Sequence, residues 1–234
     1  MMTGIYDMIC KMSLLCRTLL RTERSLLSRS ISSSNRSLLD ISNLNDLKVL
    51  EDVHVEADVI SNFEHDQIVI DVERSLRRRR YEQGHWDGVI ESFREITKRD
   101  WTDTSRKVFK RLIESPAVSR LNLNSEFLPP HVLDLSKEGF IKPHIDSIIA
   151  SGEMVAGLSL LSSAVMVLTR ESESIRILLP PRSFYVLSGR ARFEFKHEIL
   201  PGITTWNHDN STDVIRDRRI SVILRDDISP SPNN

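Results

Sequence analysis

Residues 218–225, which read RRISVILR, alternate between two kinds of side chain with a period of two. Since successive side chains of a β-strand point to opposite faces, this pattern predicts a strand with one apolar face and one face that carries arginines. The apolar face consists of Ile220, Val222 and Leu224, and the other face of Arg219, Ser221, Ile223 and Arg225. An unpaired buried guanidinium is costly, so an inward-facing Arg219 requires an anionic partner, either a dicarboxylate ligand or an internal Asp or Glu side chain.

Short β-rich runs separated by turn residues fill the C-terminal half of the chain. They predict eight strands, at residues 131–135, 139–144, 155–161, 165–169, 175–179, 183–187, 192–197 and 219–224. No helical pattern interrupts them, so we expect two facing antiparallel sheets. The predicted fold class is therefore mostly β with flanking helices: a double-stranded β-helix, or jelly roll, over residues 126–225, with the helices packed on one sheet.

Residues 61–115 carry helical spacing and are predicted to be the helices that support the sheet. Ser61 followed by Glu64 is a capping box at the start of the first helix. A second helix is predicted at residues 89–97, and a third helix from residue 102 or 103 until the proline at position 116 approaches.

Charge is distributed unevenly along the 234 residues, which contain 32 basic and 33 acidic side chains. Residues 1–36 carry a net charge of +4, and the rest of the chain carries −5. An acidic domain is not built to neutralise many phosphates, which leaves nucleic-acid binding unsupported but open. No apolar run reaches the roughly 18 residues that a membrane span needs, so no transmembrane segment is predicted.

Residues 12–40 are rich in Arg, Ser and Leu, a composition typical of a mitochondrial transit peptide, although a disordered Ser/Arg tail is the alternative. A transit peptide predicts location in the mitochondrial matrix. The predicted organisation is a leader at residues 1–40, a domain at 41–225 with a polar loop at 201–217, and a tail at 226–234. Both cysteines, Cys10 and Cys16, lie in the leader. Cysteine-ligated metals, thiol catalysis and disulfides are thereby excluded from the domain, and any metal must be held by histidines and carboxylates.

His144 and Asp146 stand two residues apart in the run GFIKPHID at residues 139–146, so on a strand they would point to the same side. His197 follows further along the chain. Two histidines and one carboxylate are the ligand set of a facial iron(II) site, which leaves positions open for a co-substrate and oxygen. The same pattern also arises by chance, and a single strand histidine is commonly a packed or hydrogen-bonded residue.

Several ordered motifs resemble the AlkB-like 2-oxoglutarate/Fe(II) dioxygenases over residues 59–225. They are the H-x-D pair, the distal histidine, the R-x5-R pattern of Arg219 and Arg225, and the block SGRARFEFKH at residues 188–197. The stretches RRRRYEQGHWD, HVLDLSKEGFIKPHIDSI, AGLSLLS and RRISVILR are further similar to a mitochondrial member of that family. The resemblance implies a jelly-roll enzyme that uses Fe(II), 2-oxoglutarate and O2.

The resemblance also implies a role for each candidate residue. The residues assigned to iron(II) are His144, Asp146 and His197. Arg219 would pair with the distal carboxylate of 2-oxoglutarate, since a planar guanidinium fork matches a carboxylate, and Arg225 would lie near the keto-acid end. Ser221 shares their strand face. Tyr185 would donate a hydrogen bond to the same ligand, or else it is a core aromatic residue whose hydroxyl reaches the edge.

One departure from the family pattern concerns the strand before the H-x-D pair. Many relatives that repair nucleic acids carry an Asn and a Tyr there, which contact the co-substrate. Counting back from His144, the matching positions in this chain are Leu133 and Leu135. Two hydrogen-bond partners are therefore replaced by apolar side chains, and an oxidisable leucine is expected beside the iron.

The implied activity is hydroxylation of a C–H bond in a protein or small-molecule substrate, with links to fatty-acid metabolism and alkylation-induced necrosis. Residues 101–131 offer one helix and a linker, too little for the recognition lid of relatives that act on nucleotides. The contrary sign is the arginine run at residues 77–80 beside Tyr81 and Trp86, which could grip RNA phosphates or simply be a solvated surface. An RNA or DNA N-methyl demethylase and a non-catalytic interaction protein are the alternatives.

Overall fold

The computed structural model describes residues 37–123, 125–149, 151–206 and 212–228. The helices are α1 (Asn62–Leu76), α2 (Asp103–Ile113), α3 (Pro116–Ser119) and α4 (Gly189–Phe193), with a 3₁₀ helix at Leu47–Asp52. The strands are β1 (Leu39–Asp40), β2 (Val53–Glu56), β3 (Glu82–Gly84), β4 (Ile90–Thr97), β5 (His131–His144), β6 (Met154–Leu161), β7 (Ala164–Arg170), β8 (Glu173–Leu179), β9 (Phe184–Ser188), β10 (Lys196–Ile199), β11 (Ile203–Trp206), β12 (Thr212–Ile215) and β13 (Arg219–Arg225).

One curled antiparallel sheet organises the described part of the chain. Its strands run in the order β1-β8-β7-β10-β5-β13-β6-β9-β2, with β4 also paired to β5 and β3 paired to β4. The first half of β5 pairs with β13 and its second half with β10, so β5 belongs to both layers of the curled sheet. β11 and β12 form a separate hairpin. The predicted jelly roll is confirmed.

The alternation of β13 sorts its side chains to two different cores, as the sequence predicts. Ile220, Val222 and Leu224 are buried in the core that contains the apolar residues of α1 and α2. Arg219 and Ser221 are buried on the opposite face, toward the interior of the curled sheet. The helices therefore cover one layer of the sheet, and the polar face of β13 is left for a site inside it.

Both long helices begin where the sequence predicts. The Ser61 hydroxyl accepts a hydrogen bond from the Glu64 N–H at 3.2 Å, and the Glu64 carboxylate accepts one from the Ser61 N–H at 2.8 Å. The second long helix, α2, begins at Asp103 with Thr102 as its N-cap. These caps satisfy N–H groups that would otherwise have no intrahelical partner.

Residues 89–97 contain strand β4 and not the predicted helix. Both faces of β4 are covered, because Phe93 packs in the interior while Ile96 packs toward the helices. Side chains three residues apart lie on opposite faces of a strand but on the same side of a helix. A strand that is covered on both faces therefore imitates helical spacing, and the long-range pairing with β5 decides the outcome.

The predicted strand at residues 192–197 is divided between the short helix α4 and strand β10. Gly189 starts α4 with a φ angle of +43°. A Cβ atom at this position would lie 2.5 Å from Asp52 Oδ1, so both the backbone conformation and the contact favour glycine. This left-handed turn, rather than continued alternation, sets the path that leads to His197.

Two further stretches differ from the prediction. Residues 131–135 and 139–144 belong to one continuous strand, β5. Residues 201–217 are not simply a loop, because they contain the β11–β12 hairpin. Trp206 of this hairpin is buried and packs in a small cluster with Val165 and Val167 of β7, a long-range contact that local polarity does not predict.

Both ends of the domain reach further than predicted. Leu38 and Leu39 are buried and β1 pairs with β8, so residues 38–40 belong to the fold and not to the leader. The carboxylate of Asp226 is buried and accepts hydrogen bonds from two backbone N–H groups of residues 153 and 154, so it is not part of a tail. The remaining predictions for the leader and the tail fall on residues 1–36 and 229–234, outside the described residues. Across the described ranges, no helix has the length and apolarity needed to cross a membrane.

A buried carboxylate ties the helices to the sheet. Asp134 of β5 has a fully buried side chain that accepts hydrogen bonds from Arg94 Nε at 2.7 Å, Arg218 Nη2 at 2.7 Å and the Tyr81 hydroxyl at 3.1 Å. Arg218 also reaches Glu73 of α1. Removing the Asp134 carboxylate would leave the largely buried guanidinium groups of Arg94 and Arg218 without this anionic partner.

We predict that Asp134→Asn lowers the free energy of unfolding by about 3 kcal/mol, because one partner of a buried ion-pair network is lost. Urea denaturation followed by circular dichroism measures this change. The matched control is Asp103→Asn, since Asp103 pairs with Arg106 but its side chain is 82% exposed, and little change is expected there. Equal stability of the two variants would contradict the role given to Asp134.

Candidate active site

Three predicted metal ligands converge where β5 meets β10. His197 of β10 lies directly opposite His144 of β5 in the strand register. Asp146 follows the end of β5, and its Oδ1 lies 3.1 Å from His144 Nε2 and 3.7 Å from His197 Nε2. One donor atom from each of the three side chains lies within 4.8 Å of the other two. Among the described residues this is the one group of histidines and carboxylates close enough to hold a metal ion together.

The orientation of His144 leaves the correct nitrogen free for a metal. Its Nδ1 lies 2.9 Å from the carbonyl oxygen of Lys142. A carbonyl can only accept a hydrogen bond, so Nδ1 carries a proton, and Nε2, which lies 3.1 Å from Asp146 Oδ1, is the nitrogen that would bind a metal ion in place of a proton. Such a hydrogen bond on the remote nitrogen is the usual way in which a protein fixes the ring of a metal-binding histidine.

The electrostatics of the three side chains suit a divalent cation. Burial alone would raise the pKa of Asp146, but the hydrogen bond from His144 and the positive charge of that imidazole hold the pKa of Asp146 well below its usual range. Burial lowers the pKa of His197 to about 4, so its imidazole is neutral at physiological pH. Burial also opposes the charged form of His144, yet the contact with Asp146 raises its pKa. A cation placed between these donors would replace the proton that the carboxylate otherwise attracts.

A cavity of about 440 Å³ opens into the interior of the sheet next to these three donors. Its lining contains all of the side chains that the sequence nominated: His144, Asp146, Tyr185, His197, Arg219, Ser221 and Arg225. The structure therefore brings the predicted metal ligands and the predicted co-substrate residues to one cavity. Leu133 also lines it, whereas Leu135 is buried in the interior core outside the lining.

Arg219 points into this cavity from β13 and is 1% exposed. Its Nε donates a hydrogen bond to Ser159 Oγ at 3.2 Å, while its Nη2 has no hydrogen-bond partner among the described residues. Burial lowers the pKa of Arg219 to about 10, which still leaves it charged at neutral pH. No ion pair with an internal Asp or Glu is formed within the described ranges, so the dicarboxylate alternative fits the orphaned donor better.

Tyr185 faces the same cavity from β9. Burial raises its pKa to about 12, so its hydroxyl stays protonated and can donate a hydrogen bond. Gly157 of β6 lies opposite it in the register, and a Cβ atom on Gly157 would come within 2.5 Å of the tyrosine ring. The absence of a side chain at position 157 therefore makes room for the ring inside the sheet.

A second group of polar side chains lines the cavity and was not predicted: Asp87, Glu95 and two histidines, His85 and His131. Glu95 lies 3.0 Å from His131 Nε2 and 3.5 Å from His85 Nε2. The hydrogen bond from His131 holds the pKa of Glu95 below its ordinary value. The sequence pattern did not reveal this group, because it predicts a helix at residues 89–97. Glu95 faces the cavity because β4 is a strand.

Comparison with known proteins identifies the family. A mouse protein named alpha-ketoglutarate-dependent dioxygenase alkB homolog 7, mitochondrial, is 42% identical over 181 residues, which cover 76% of this chain and 80% of the relative. The bovine protein of the same name is 40% identical over 188 residues, covering 79% and 80%. The chain belongs to the AlkB homologue 7 family. No family model matches it.

Solved structures support the same fold for this AlkB homologue 7 family member. A prolyl-4-hydroxylase from Pseudomonas putida aligns with a TM-score of 0.54 and 12% identity, covering 75% of this chain and 92% of the other. The structure of OsALKBH1 aligns with a TM-score of 0.51 and 13% identity, covering 74% and 97%. The protein is thus a dioxygenase that depends on Fe(II), 2-oxoglutarate and O2. The names of the mouse and bovine relatives place those proteins in the mitochondrion, which supports the same location here.

We predict that Arg219→Met weakens 2-oxoglutarate binding about 30- to 100-fold, since losing a charge-assisted hydrogen bond to a carboxylate costs about 2–3 kcal/mol. Calorimetry with Mn(II) in place of iron measures both affinities, and the affinity for Mn(II) should be unchanged. The matched control is Arg218→Met, because Arg218 is the adjacent residue of the chain but binds Asp134 outside the cavity. Unchanged 2-oxoglutarate affinity in Arg219→Met would remove Arg219 from the co-substrate site.

Proposed function

We propose that this protein hydroxylates a C–H bond of a protein or small-molecule substrate in the mitochondrial matrix. In this proposal the iron(II) ligands are His144, Asp146 and His197. The co-substrate contacts are Arg219 at the distal carboxylate of 2-oxoglutarate, Tyr185 and Ser221 beside it, and Arg225 near the keto-acid end. The observation that carries the proposal is the orphaned Nη2 of Arg219, which shares one cavity with a complete 2-His-1-carboxylate group.

In the proposed mechanism, some residues of the cavity bind the metal and others bind the co-substrate. Bound iron(II) supplies the redox chemistry by which O2 and 2-oxoglutarate oxidise a C–H bond, with succinate and carbon dioxide as co-products. Arg219 supplies the positive charge that a buried dicarboxylate needs, and the protonated hydroxyl of Tyr185 supplies a neutral donor. Leu133 contributes an apolar wall, which helps to keep water away from the reacting atoms.

We predict that the full-length protein forms succinate from 2-oxoglutarate when it is supplied with Fe(II) and O2. His197→Ala should reduce this turnover to background, because two donors hold the metal poorly. His54→Ala is the matched control, since His54 lies on β2 and does not line the cavity. A wild-type protein that binds neither Fe(II) nor 2-oxoglutarate in calorimetry would contradict the proposed activity itself.

The open side of the cavity supports a protein or small-molecule substrate. Trp86 lines this side and is 90% exposed, and Ile145 lines it beside the exposed Ile148 and Ile149. Asp87 and Glu95 add two carboxylates to the lining. Apolar side chains and carboxylates disfavour the close approach of a phosphodiester backbone, which proteins normally neutralise with Lys and Arg.

The segment between β4 and β5 supports the same conclusion. Its helices α2 and α3 pack on the outer face of the sheet, and no described residue between positions 98 and 130 lines the cavity. Relatives that act on nucleotides resemble one another in carrying a lid in this part of the chain. Here the cavity mouth is bounded instead by the short connection between β3 and β4.

One observation favours a nucleic-acid N-methyl demethylase as the second candidate. The arginines at residues 77–80 are all exposed, and Trp86 offers a free aromatic face nearby in the chain. None of these arginines lines the cavity. Strong, salt-dependent binding of a methylated oligonucleotide together with release of formaldehyde would support this candidate over the proposed function.

Trp86→Ala tests the substrate side separately from the metal side. We predict that a mitochondrial extract stimulates succinate formation by the wild-type protein, and that Trp86→Ala loses this stimulation but keeps its substrate-independent turnover. Phe63→Ala is the matched control, because Phe63 is 65% exposed at the start of α1, outside the cavity lining. If the extract still stimulates turnover after nuclease treatment but not after protease treatment, the substrate is a protein. If nuclease treatment of the extract abolishes the stimulation, the proposal is contradicted.

The cellular part of the proposal concerns import and pathway. We propose that the leader ends before Leu38, and the burial of Leu38 and Leu39 supports this position. The link to fatty-acid metabolism and alkylation-induced necrosis follows from the family resemblance, and cells that carry His144→Ala test whether it depends on the metal site. Unchanged cellular function in these cells would favour a non-catalytic interaction protein.

A further inference from the structure

Asp146 is the metal ligand that the sheet holds least firmly. His144 and His197 lie opposite each other on paired strands, whereas Asp146 lies beyond the last residue of β5. The segment that follows Asp146 contains the exposed Ile148 and Ile149. A ligand on such a segment needs another contact to keep its carboxylate oriented, because a shift of a fraction of an ångström changes the metal geometry.

Arg192 supplies that contact from α4. Its side chain is almost fully buried, with the residue 2% exposed. Nη1 donates a hydrogen bond to the backbone carbonyl of Asp146 at 2.9 Å, and Nη2 donates to Ser151 Oγ at 2.8 Å and to the carbonyl of Ser147 at 3.4 Å. Ser151 Oγ in turn donates to the Ser147 carbonyl at 3.2 Å. One guanidinium thus fastens the segment at three points.

The position of Arg192 in the chain connects the two halves of the metal site. α4 leads directly into β10, which carries His197, while the carbonyl groups that Arg192 binds belong to the segment that carries Asp146. The guanidinium lies over the Phe193 ring at 5.0 Å from its centroid. A movement of β10 relative to the Asp146 segment would therefore have to break these hydrogen bonds.

Burying this cation is unfavourable in itself. Arg192 forms no ion pair within the described ranges, its Nε has no hydrogen-bond partner there, and burial lowers its pKa. A buried guanidinium without a carboxylate partner costs free energy that backbone carbonyls offset only in part. A role in orienting the Asp146 segment would explain why a buried cation stands at this position.

We infer that Arg192 is a positioning residue that fixes Asp146 for metal binding by holding Asp146, Ser147 and Ser151 against α4. The inference rests on the proposed metal site, but it assigns to Arg192 a role that the three ligands and the co-substrate residues do not cover. Arg192 does not line the cavity, so it acts through Asp146 and not on the bound molecules.

The test compares two buried arginines in the full-length protein. Arg216 is also 2% exposed and also donates to backbone carbonyls, those of Ser136, Lys137 and Gly139 in the middle of β5, away from the metal ligands. Co(II), whose absorption bands report the ligand geometry, serves as the probe in place of iron. Arg192→Met should weaken Co(II) affinity about 10- to 100-fold and alter the bands, the range expected for a residue that orients a metal ligand.

Arg216→Met should lower the unfolding temperature as Arg192→Met does but leave the Co(II) affinity and spectrum as in the wild type. Ser151→Ala, a smaller change, should weaken Co(II) binding by less than Arg192→Met, and it provides the readout if Arg192→Met does not fold. The inference is overturned if Arg192→Met folds and its Co(II) affinity stays within threefold of wild type. If Arg192→Met does not fold, unchanged Co(II) affinity in Ser151→Ala overturns it. A wild-type protein that fails to bind Co(II) would instead contradict the proposed metal site.

Discussion

β5 is hydrogen-bonded to β4 in both of its halves, to β13 along its first half and to β10 along its second half, and the candidate site depends on this triple pairing. The pairing with β10 places His197 opposite His144. The pairing with β13 places Arg219 opposite Leu135, with the Arg219 side chain lining the cavity. Because the side-chain period of a strand is two, a slip of one residue in either register would turn a ligand away from the cavity. The register of β5 therefore determines the geometry of both the candidate metal site and the proposed co-substrate site.

The interior of the sheet contains a buried positive charge that no carboxylate among the described residues neutralises. Arg219 is buried with a free donor, and Tyr185 is buried with its hydroxyl protonated. Each unsatisfied buried donor costs about 1–3 kcal/mol in the ligand-free protein. A dicarboxylate that binds here satisfies groups that are already in place, so little reorganisation opposes binding. The proposed co-substrate site would thus be complete before the co-substrate binds, at a cost in the stability of the ligand-free protein.

The sequence contains enough information for the parts of the site that depend on local alternation. The two faces of β13 follow from the period of a strand and are found in the structure, and the H-x-D pair also converges, although Asp146 lies beyond the end of β5. The sequence does not predict features that depend on long-range pairing. β4 imitates a helix because both of its faces are covered, and Glu95 was missed with it. The left-handed turn at Gly189 likewise depends on a contact with Asp52, far away in the chain.

The two sides of the cavity differ in how firmly the fold holds them. The proposed co-substrate side consists of side chains from strands β9 and β13, each paired on both edges. The open side is formed by the connection between β3 and β4 and by the segment after β5, where the large apolar side chains are exposed. Residues on a paired strand are constrained by the register, whereas residues on these connections can change without disturbing the sheet. In the proposed site, the co-substrate residues and both histidine ligands are therefore fixed by the strand register, whereas Asp146 and the residues that would meet the substrate lie on the connections at the edge of the sheet.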